Sequence, residues 1–515
     1  MINNKIFAII IFILSAILFG QPGRDARMLG LSGSYTTLAH GYQSIGVNPA
    51  NLASYNYRSL NLLNLSLGIN NNALSITKYN AINGAHLGDT LSFTYYPKSH
   101  YPYYPKSQFY DMFGGKGIRL MQSLELPLPI LNFSTRRFAL TSNFSSNIDM
   151  GMPNGFMDLL LFGNPFGKKI SIDLEQFIIL SQETGFSYGH SFSGLSTGFT
   201  LKYILGLFYM GMESLENPTI TTNITGFTGK NQYLMQQAIG GSGLGLDVGI
   251  TTDESNDGYR FGLSIINLLG TVKWTQENFI RDKLGPSLSS SDFYLRSNEF
   301  MYFNMEMDSV TGSSLSDKSG DPLIFYEMYK VISLTNIDTI RVSSADSALT
   351  IELSNGTYLF PSEGEYKLVD LLGDNDEERP LNSDYYKVYS IADDNPFKTR
   401  QPMYLRMGVS RRWEGQAIVA ADLVTGFSNL YGSSSAWRAS MGVEIIRFKG
   451  KFLRLGYAVG GVAKKSMSFG YGRKIGNLYW DIGMSFNGGF SLKTAKGFDF
   501  AMGLTWQLGK TKKED

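Results

Sequence analysis

Two serines stand in the pattern that presents a hydrolytic nucleophile. Gly185-Phe186-Ser187-Tyr188-Gly189 and Gly194-Leu195-Ser196-Thr197-Gly198 both read Gly-x-Ser-x-Gly. That pattern works where a strand turns sharply into a helix and exposes the hydroxyl to a histidine base. Here both matches lie in segments that alternate large apolar with small residues, which is the period of a strand. His190, beside the first match, falls at an expected turn. The other chemistries are as poorly supplied. The four histidines (His40, His86, His100, His190) are scattered and cysteine is absent. That removes disulfides, thiolate zinc sites, iron–sulfur clusters and cysteine nucleophiles together. There is no phosphate-binding loop motif. The run Gly241-x-Gly243-x-Gly245 sits on a strand and opens no helix, as a dinucleotide fingerprint would. The sequence therefore predicts no catalytic residue, no metal, no cofactor and no enzyme.

The charge balance narrows the partners. Across 515 residues, 45 Lys plus Arg meet 44 Asp plus Glu, a net of +1. A near-neutral chain is not built to hold nucleic acid. Only 17% of residues are charged, against roughly 25% in an ordinary soluble protein. Glycine (56), Phe (34) and Tyr (30) are abundant, which favours a β protein with many turns and much apolar outer surface.

The first 20 residues read as a signal peptide. Met1 to Lys5 carries one positive charge, Ile6 to Phe19 is apolar apart from Ser15, and Gly20 offers a small residue before cleavage. The apolar stretch is short for a membrane-spanning helix, which needs about 20 residues. No later stretch supplies such a helix, so a return to a membrane requires strands closed into a barrel.

From residue 58 onward, period-two segments recur. Leu195, Thr197, Phe199, Leu201 and Tyr203 oppose Ser196, Gly198, Thr200 and Lys202. Near the end Phe498, Phe500, Met502, Leu504 and Trp506 oppose Asp499, Ala501, Gly503 and Thr505. Successive side chains of a strand point to opposite faces. One large-apolar face and one small-or-charged face, repeated in segments of about ten residues, is the pattern of a transmembrane barrel. A soluble sandwich gives the same alternation with its apolar face inward; segment length and the export signal favour the barrel. On that reading Lys202, Asp247, Arg406, Asp422, Arg438, Glu444, Arg454, Asp481 and Asp499 point into the lumen. Facing lipid at mid-depth, each Arg or Lys would cost about 2–4 kcal/mol.

Strands are expected near 58–68, 73–80, 87–96, 119–131, 136–147, 177–190, 194–209, 240–252 and 259–269. Seven more follow at 401–413, 415–425, 435–447, 450–461, 465–475, 477–487 and 497–508. The even counts are 14, taken as the main expectation with the first two segments in a plug, or 16. Segment 294–307 is a further candidate without an evident partner. Placing the C-terminus in the periplasm puts tight turns there and long loops outside, as outer-membrane barrels have them. The walk divides the chain into a barrel first part (58–308), an acidic extracellular insert (309–398), the last seven barrel strands (399–508) and a periplasmic tail (509–515). The insert holds 16 Asp plus Glu against 7 Lys plus Arg, a net of −9, so the remainder carries +10. It reads as solvated loop, partly β, with a weak calcium site as the sharper alternative.

Residues 26–53 carry a family resemblance. A Gly-rich opening with Gly30, Gly33 and Ser34 leads to Asn48-Pro49-Ala50 just before the first strand, after a signal peptide. This resembles the start of FadL-type outer-membrane proteins, including the PorV-like barrels. The resemblance implies a 14-stranded barrel with an N-terminal hatch (here 21–57) in its lumen. In one branch it implies uptake of hydrophobic molecules, and in the PorV-like branch a docking barrel for secretion. The acidic insert and the Lys-rich end depart from the transporter pattern.

Two functions thus stand open. One is an outer-membrane barrel, embedded in outer-membrane lipid of a Gram-negative-type bacterium, that binds or passes hydrophobic small molecules. The other is a non-transporting scaffold for a secretion or surface protein partner. The apolar run Phe156-Met157-Asp158-Leu159-Leu160-Leu161-Phe162 fits the first. Phe156, Met157, Leu159, Leu160, Leu161 and Phe162 either capture ligand or pack on the barrel mouth.

Overall fold

The computed structural model describes residues 25–54, 58–83, 85–88, 103–113, 117–163, 166–214, 218–223, 226–274, 299–310, 324–332, 341–345, 348–353, 356–361, 366–367, 398–427, 435–461 and 464–508. The expected signal peptide, the tail 509–515 and most of the acidic insert lie outside these residues.

The alternating segments pair into one antiparallel sheet that closes on itself. Arg58–Asn71 pairs with Gly497–Leu508 on one side and with Ile118–Pro127 and Phe133–Thr135 on the other. The wall continues through Phe138–Met152, Glu175–Phe192, Leu195–Ser214 and Gly226–Thr252. Tyr259–Ile266, Thr271–Trp274 and Glu299–Val310 then pair in succession along Gly226–Thr252. Tyr259–Ile266 passes the ring to Tyr404–Trp413, and five further hairpin-linked strands lead back to Gly497–Leu508. Closure leaves no edge, which is how a sheet satisfies its backbone in lipid. Among the described residues no helix is long and apolar enough to cross a membrane.

Sixteen strands of eight residues or more belong to this sheet, where fourteen were expected; the two beyond the ring, Glu299–Val310 and Ile324–Ile332, form a hairpin paired along the far part of Gly226–Thr252. The set also differs from the expected sixteen. Within 73–80, residues Ile76–Ile82 form a helix, because the Ser75 side chain accepts a hydrogen bond from Lys78 N and caps its start. In 87–96 only His86–Gly88 is described as strand, and it pairs with Tyr103–Pro105 outside the wall. In exchange Glu299–Val310 extends the sheet. Its partners are Gly226–Thr252 and Ile324–Ile332, the latter inside the stretch read as insert. A separate three-stranded sheet is built from Arg341–Ala345, Ala348–Leu353 and Gly356–Pro361.

Which face turns outward follows from side-chain exposure. Phe199, Leu201 and Tyr203 are exposed, whereas Thr200, Lys202 and Ile204 between them are buried. The same holds for Leu453, Leu455 and Tyr457 against Arg454 and Ala458. The molecule is therefore apolar outside and polar inside, the reverse of a soluble sandwich.

Candidate functional site

Residues 25–54 lie within the ring, at the end of the barrel that carries the tight turns. The segment is short-range in structure. The Asp25 side chain accepts from Met28 N at 2.8 Å and caps the helix Ala26–Gly30. Ser32 (φ 53°) and Gly33 (φ 89°) then turn the chain back. A single 3-10 turn, Gly41–Ser44, and a short helix, Asn51–Ser54, complete it. So few local bonds cannot order 30 residues; the wall does.

The wall makes room through glycine. A Cβ on Gly198 would lie 2.4 Å from Pro49 C, and one on Gly456 2.4 Å from Leu31 C. One on Gly483 would lie 2.4 Å from Ala26 O, and one on Gly442 2.9 Å from Leu31 O. These positions are in register around the ring: Gly189 opposite Gly198, Gly198 opposite Gly249, Gly262 opposite Gly408, Gly442 opposite Gly456, and Gly470 opposite Gly483. Together they form a collar on which the backbone of 25–54 rests. The two Gly-x-Ser-x-Gly matches are two stretches of this collar. Ser187 bonds Thr200 across one hairpin at 2.8 Å, and no helix follows either serine.

Charges of the wall tie the segment down. Asp422 Oδ2 accepts from Tyr35 N (2.9 Å), Thr36 N (2.9 Å) and Thr36 Oγ1 (2.6 Å). Arg406 pairs with Asp422 at 3.4 Å and donates to Gly33 O at 3.0 Å. Arg438 donates to Ser32 O and to Ser466. A second chain of charges runs Arg27–Glu444–Arg454–Asp481, with contacts of 2.8, 2.5 and 2.5 Å. Lys202 and Asp247 stay within the wall, paired at 2.9 Å, and Lys202 also reaches Asn267 at 2.8 Å. Asp499 accepts from Asn487 at 2.7 Å and from Asn70 at 3.4 Å. All nine of these charges are buried or partly buried. Four of them (Arg406, Asp422, Arg438 and, through its pair with Arg27, Glu444) bond 25–54 directly; Arg454 supports Glu444, and Asp481 supports Arg454.

The motif residues each have a placed partner. Gly30 packs on Gly470 Cα, Gly33 lends its carbonyl to Arg406, and Ser34 donates to Ser440 at 3.0 Å. Asn48 Oδ1 accepts from Ala50 N at 3.1 Å around Pro49, while Asn48 Nδ2 donates to Ile250 O at 3.0 Å. Sequence reading missed Arg260, which is buried and bonds Asn51 (3.0 Å) and Ser54 (2.5 Å). It missed Trp274 too, fully buried where Gly206 and Gly241 leave space for its ring. For Arg260 the signal was its period-two position between Tyr259 and Phe261; Trp274 gave none, because it shares its face with Val272 while Lys273 lies on the other.

At the opposite, long-loop end lies a small apolar cluster. The run 156–162 belongs to the helix Asn154–Phe162. Met157 and Leu161 pack with Ala73, Met112 and Phe113, while Leu159 is half-buried. Phe156, Leu160 and Phe162 are exposed, Leu160 at 72%. Between this end and the segment 25–54 the lumen holds a small cavity of about 100 Å³. Met28 and Gly46 line it from the segment, and Glu125, Asn143, Asn147, Glu183, Gln401 and Arg406 from the wall. Among the described residues no group of three or more acidic or histidine side chains is set to hold a metal.

A family model described as a family of unknown function (DUF5723) matches residues 49–318. No curated protein sequence matches the chain. Among solved structures the chain is similar to two FadL-type outer-membrane hydrocarbon channels. To the P. putida toluene transporter TodX it is 12% identical, over 96% of this chain and 100% of that one, with a TM-score of 0.42. To the CymD monoaromatic hydrocarbon channel it is 11% identical, over 96% and 99%, with a TM-score of 0.40. The closed antiparallel barrel is read from strand register, independently of these scores.

Proposed function

The chain belongs to the family of unknown function DUF5723, and from its geometry we propose that it is a non-enzymatic outer-membrane barrel handling small hydrophobic molecules behind an N-terminal hatch. The observation that carries this is the seating of 25–54 inside the closed wall, held by Asp422, Arg406, Arg438 and Glu444. A segment so placed controls passage along the axis at the tight-turn end. The exposed Phe156, Leu160 and Phe162 give a hydrophobic molecule a first landing surface outside. Outer-membrane lipid would cover the apolar exterior.

The test is binding of an apolar fluorophore, N-phenyl-1-naphthylamine, to purified protein. Leu160→Glu is expected to weaken binding by about tenfold, the worth of roughly one buried leucine face, without lowering the melting temperature. Unchanged binding in that variant would sink the landing-surface reading.

A second reading, the docking scaffold, has its own observation. Gly226–Thr252 runs for 27 residues, about 90 Å of strand at about 3.4 Å per residue. An apolar band about 25 Å tall, crossed at a tilt, needs only about 9–11. The surplus, with the hairpin Glu299–Val310 and Ile324–Ile332, carries the acidic stretch away from the membrane. Deleting 299–397 should abolish capture of any surface partner if this reading holds, and should leave fluorophore binding intact.

A further inference from the structure

The rim at the tight-turn end is divided by charge. The turn 253–258 carries Asp253, Glu254 and Asp257, and the next turn carries Glu414. On that side Arg412 pairs with Glu254 at 3.4 Å. The two turns that follow round the ring are basic. Residues 446–453 hold Arg447, Lys449 and Lys451, residues 469–480 hold Arg473 and Lys474, and neither stretch contains an acidic residue. Arg447, Lys449, Lys451 and Arg473 are exposed, and none of them is ion-paired among the described residues. Two of them point sideways, toward lipid. Lys451 continues the outward series Leu453, Leu455 and Tyr457, and Arg473 continues the series Phe469 and Tyr471. Lys451 and Arg473 stand directly opposite each other in register, and Trp480 stands opposite Arg473 on the next strand. Like charges so placed destabilise a sheet, and an anion between them relieves the repulsion. Phe448 and Ile475 are exposed among these cations, and Lys474 lies over the ring of Tyr479 at 5.1 Å. Cations interleaved with exposed apolar and aromatic side chains suit the headgroup level of a membrane.

We propose that this basic arc is a binding surface for anionic phospholipid headgroups of the leaflet at the tight-turn end. It rests on the membrane-barrel reading and is independent of what enters the lumen. A phosphodiester between Lys451 and Arg473 accepts from both, from the guanidinium as a planar fork. Its acyl chains then lie along Leu453 and Leu455, with Trp480 at the boundary between headgroup and chain. A zwitterionic headgroup brings an ammonium among these cations, whereas an anionic one brings none. An acidic protein approaching along the barrel axis would leave Lys451, Arg473 and Trp480 to one side, on the face that lipid covers. The arc occupies one side of the rim, so the anionic lipid is held there and not beside Asp253, Asp257 and Glu414.

The experiment is native mass spectrometry of the full-length protein released from nanodiscs of equal parts phosphatidylglycerol and phosphatidylcholine. Among the retained lipids, phosphatidylglycerol is expected to exceed phosphatidylcholine about tenfold. The double variants Arg447→Gln/Lys449→Gln and Lys451→Gln/Arg473→Gln should each lower that ratio about fivefold or more. Arg411→Gln/Arg412→Gln removes as much charge from the acidic half of the rim and should leave the ratio unchanged. Heat-resistant migration identifies the folded barrels. With its like-charge pair removed, Lys451→Gln/Arg473→Gln should be at least as heat-resistant as the native protein in a neutral detergent. If the folded native protein retains both lipids equally, or if both arc variants keep its ratio, the proposal is overturned. An equal fall in the Arg411→Gln/Arg412→Gln variant would overturn it as well, by showing that any cation of the rim serves. Binding of poly-glutamate without a lipid preference would also overturn it, by marking the arc as a protein surface. A native protein without heat-resistant migration would overturn the barrel and this surface together. A folded barrel that prefers phosphatidylglycerol but binds no fluorophore would uphold this surface and remove the hydrophobic reading of the mouth.

Discussion

At the scale of single residues, the glycines of the collar carry the most testable consequence. A methyl on Gly456 would meet Leu31 C at 2.4 Å, whereas one on Gly503 finds its nearest atom at 3.7 Å. Gly456→Ala should therefore unseat residues 25–54, seen as faster proteolysis near the N-terminus, and Gly503→Ala should leave the digestion pattern unchanged. Asp422 makes a complementary case. Asp422→Ala removes the acceptor for three donors and leaves Arg406 buried without its carboxylate. A loss of roughly 3–5 kcal/mol is expected, read as a lowered midpoint of segment release in denaturant. Asp25 adds a pH dependence. Burial pushes its carboxyl up to about 6. The seated state thus holds a proton that the released state has lost, so seating weakens as pH rises from about 4 through about 6 and is flat above. Asp25→Asn keeps the capping oxygen without the charge and should flatten that profile in hydrogen exchange of 26–30. These partnerships were half legible. That Asp422 and Arg406 face inward follows from period two alone. That Asp422 receives Tyr35 and Thr36, 387 and 386 residues away, has no local signal, because the bond is fixed by closure of the ring.

At the scale of elements, the sequence misled where two periodicities overlap. Leu74, Ile76 and Lys78 alternate with Ser75 and Thr77 as a strand would, but Ser75 followed by Lys78 N is a helix cap. The helix then packs at the mouth with the elements around Met112 and Met157 through Ile82. The run 156–162 was legible as apolar, but only its helical turn separates Met157 and Leu161, facing in, from Phe156, Leu160 and Phe162, facing out. The two faces predict opposite phenotypes. Met157→Glu buries a charge and should lower the melting temperature by several degrees. Leu160→Glu should leave it unchanged and lose fluorophore instead. The hairpin 299–310 with 324–332 was missed because its second strand lies within an acidic stretch. Composition there says loop, and register says a hairpin that prolongs the sheet beyond the ring.

For the molecule as a whole, a closed wall with an apolar exterior holds the segment 25–54 in its lumen, and a cavity separates that segment from an apolar mouth. The wall was readable because lipid and lumen impose opposite side chains on alternate positions along every strand. The filling of the lumen was not, because it is decided by contacts across the ring. The central claim is that residues 25–54 close the barrel at the tight-turn end. Single-channel conductance in a planar lipid bilayer tests it most directly, comparing the mature chain with one lacking 25–54. The full chain should show little or no steady conductance, and the deletion should open a stable, ohmic pore of many times that conductance. Equal conductance from both proteins, with both shown by their heat-resistant migration to be folded barrels, would contradict it.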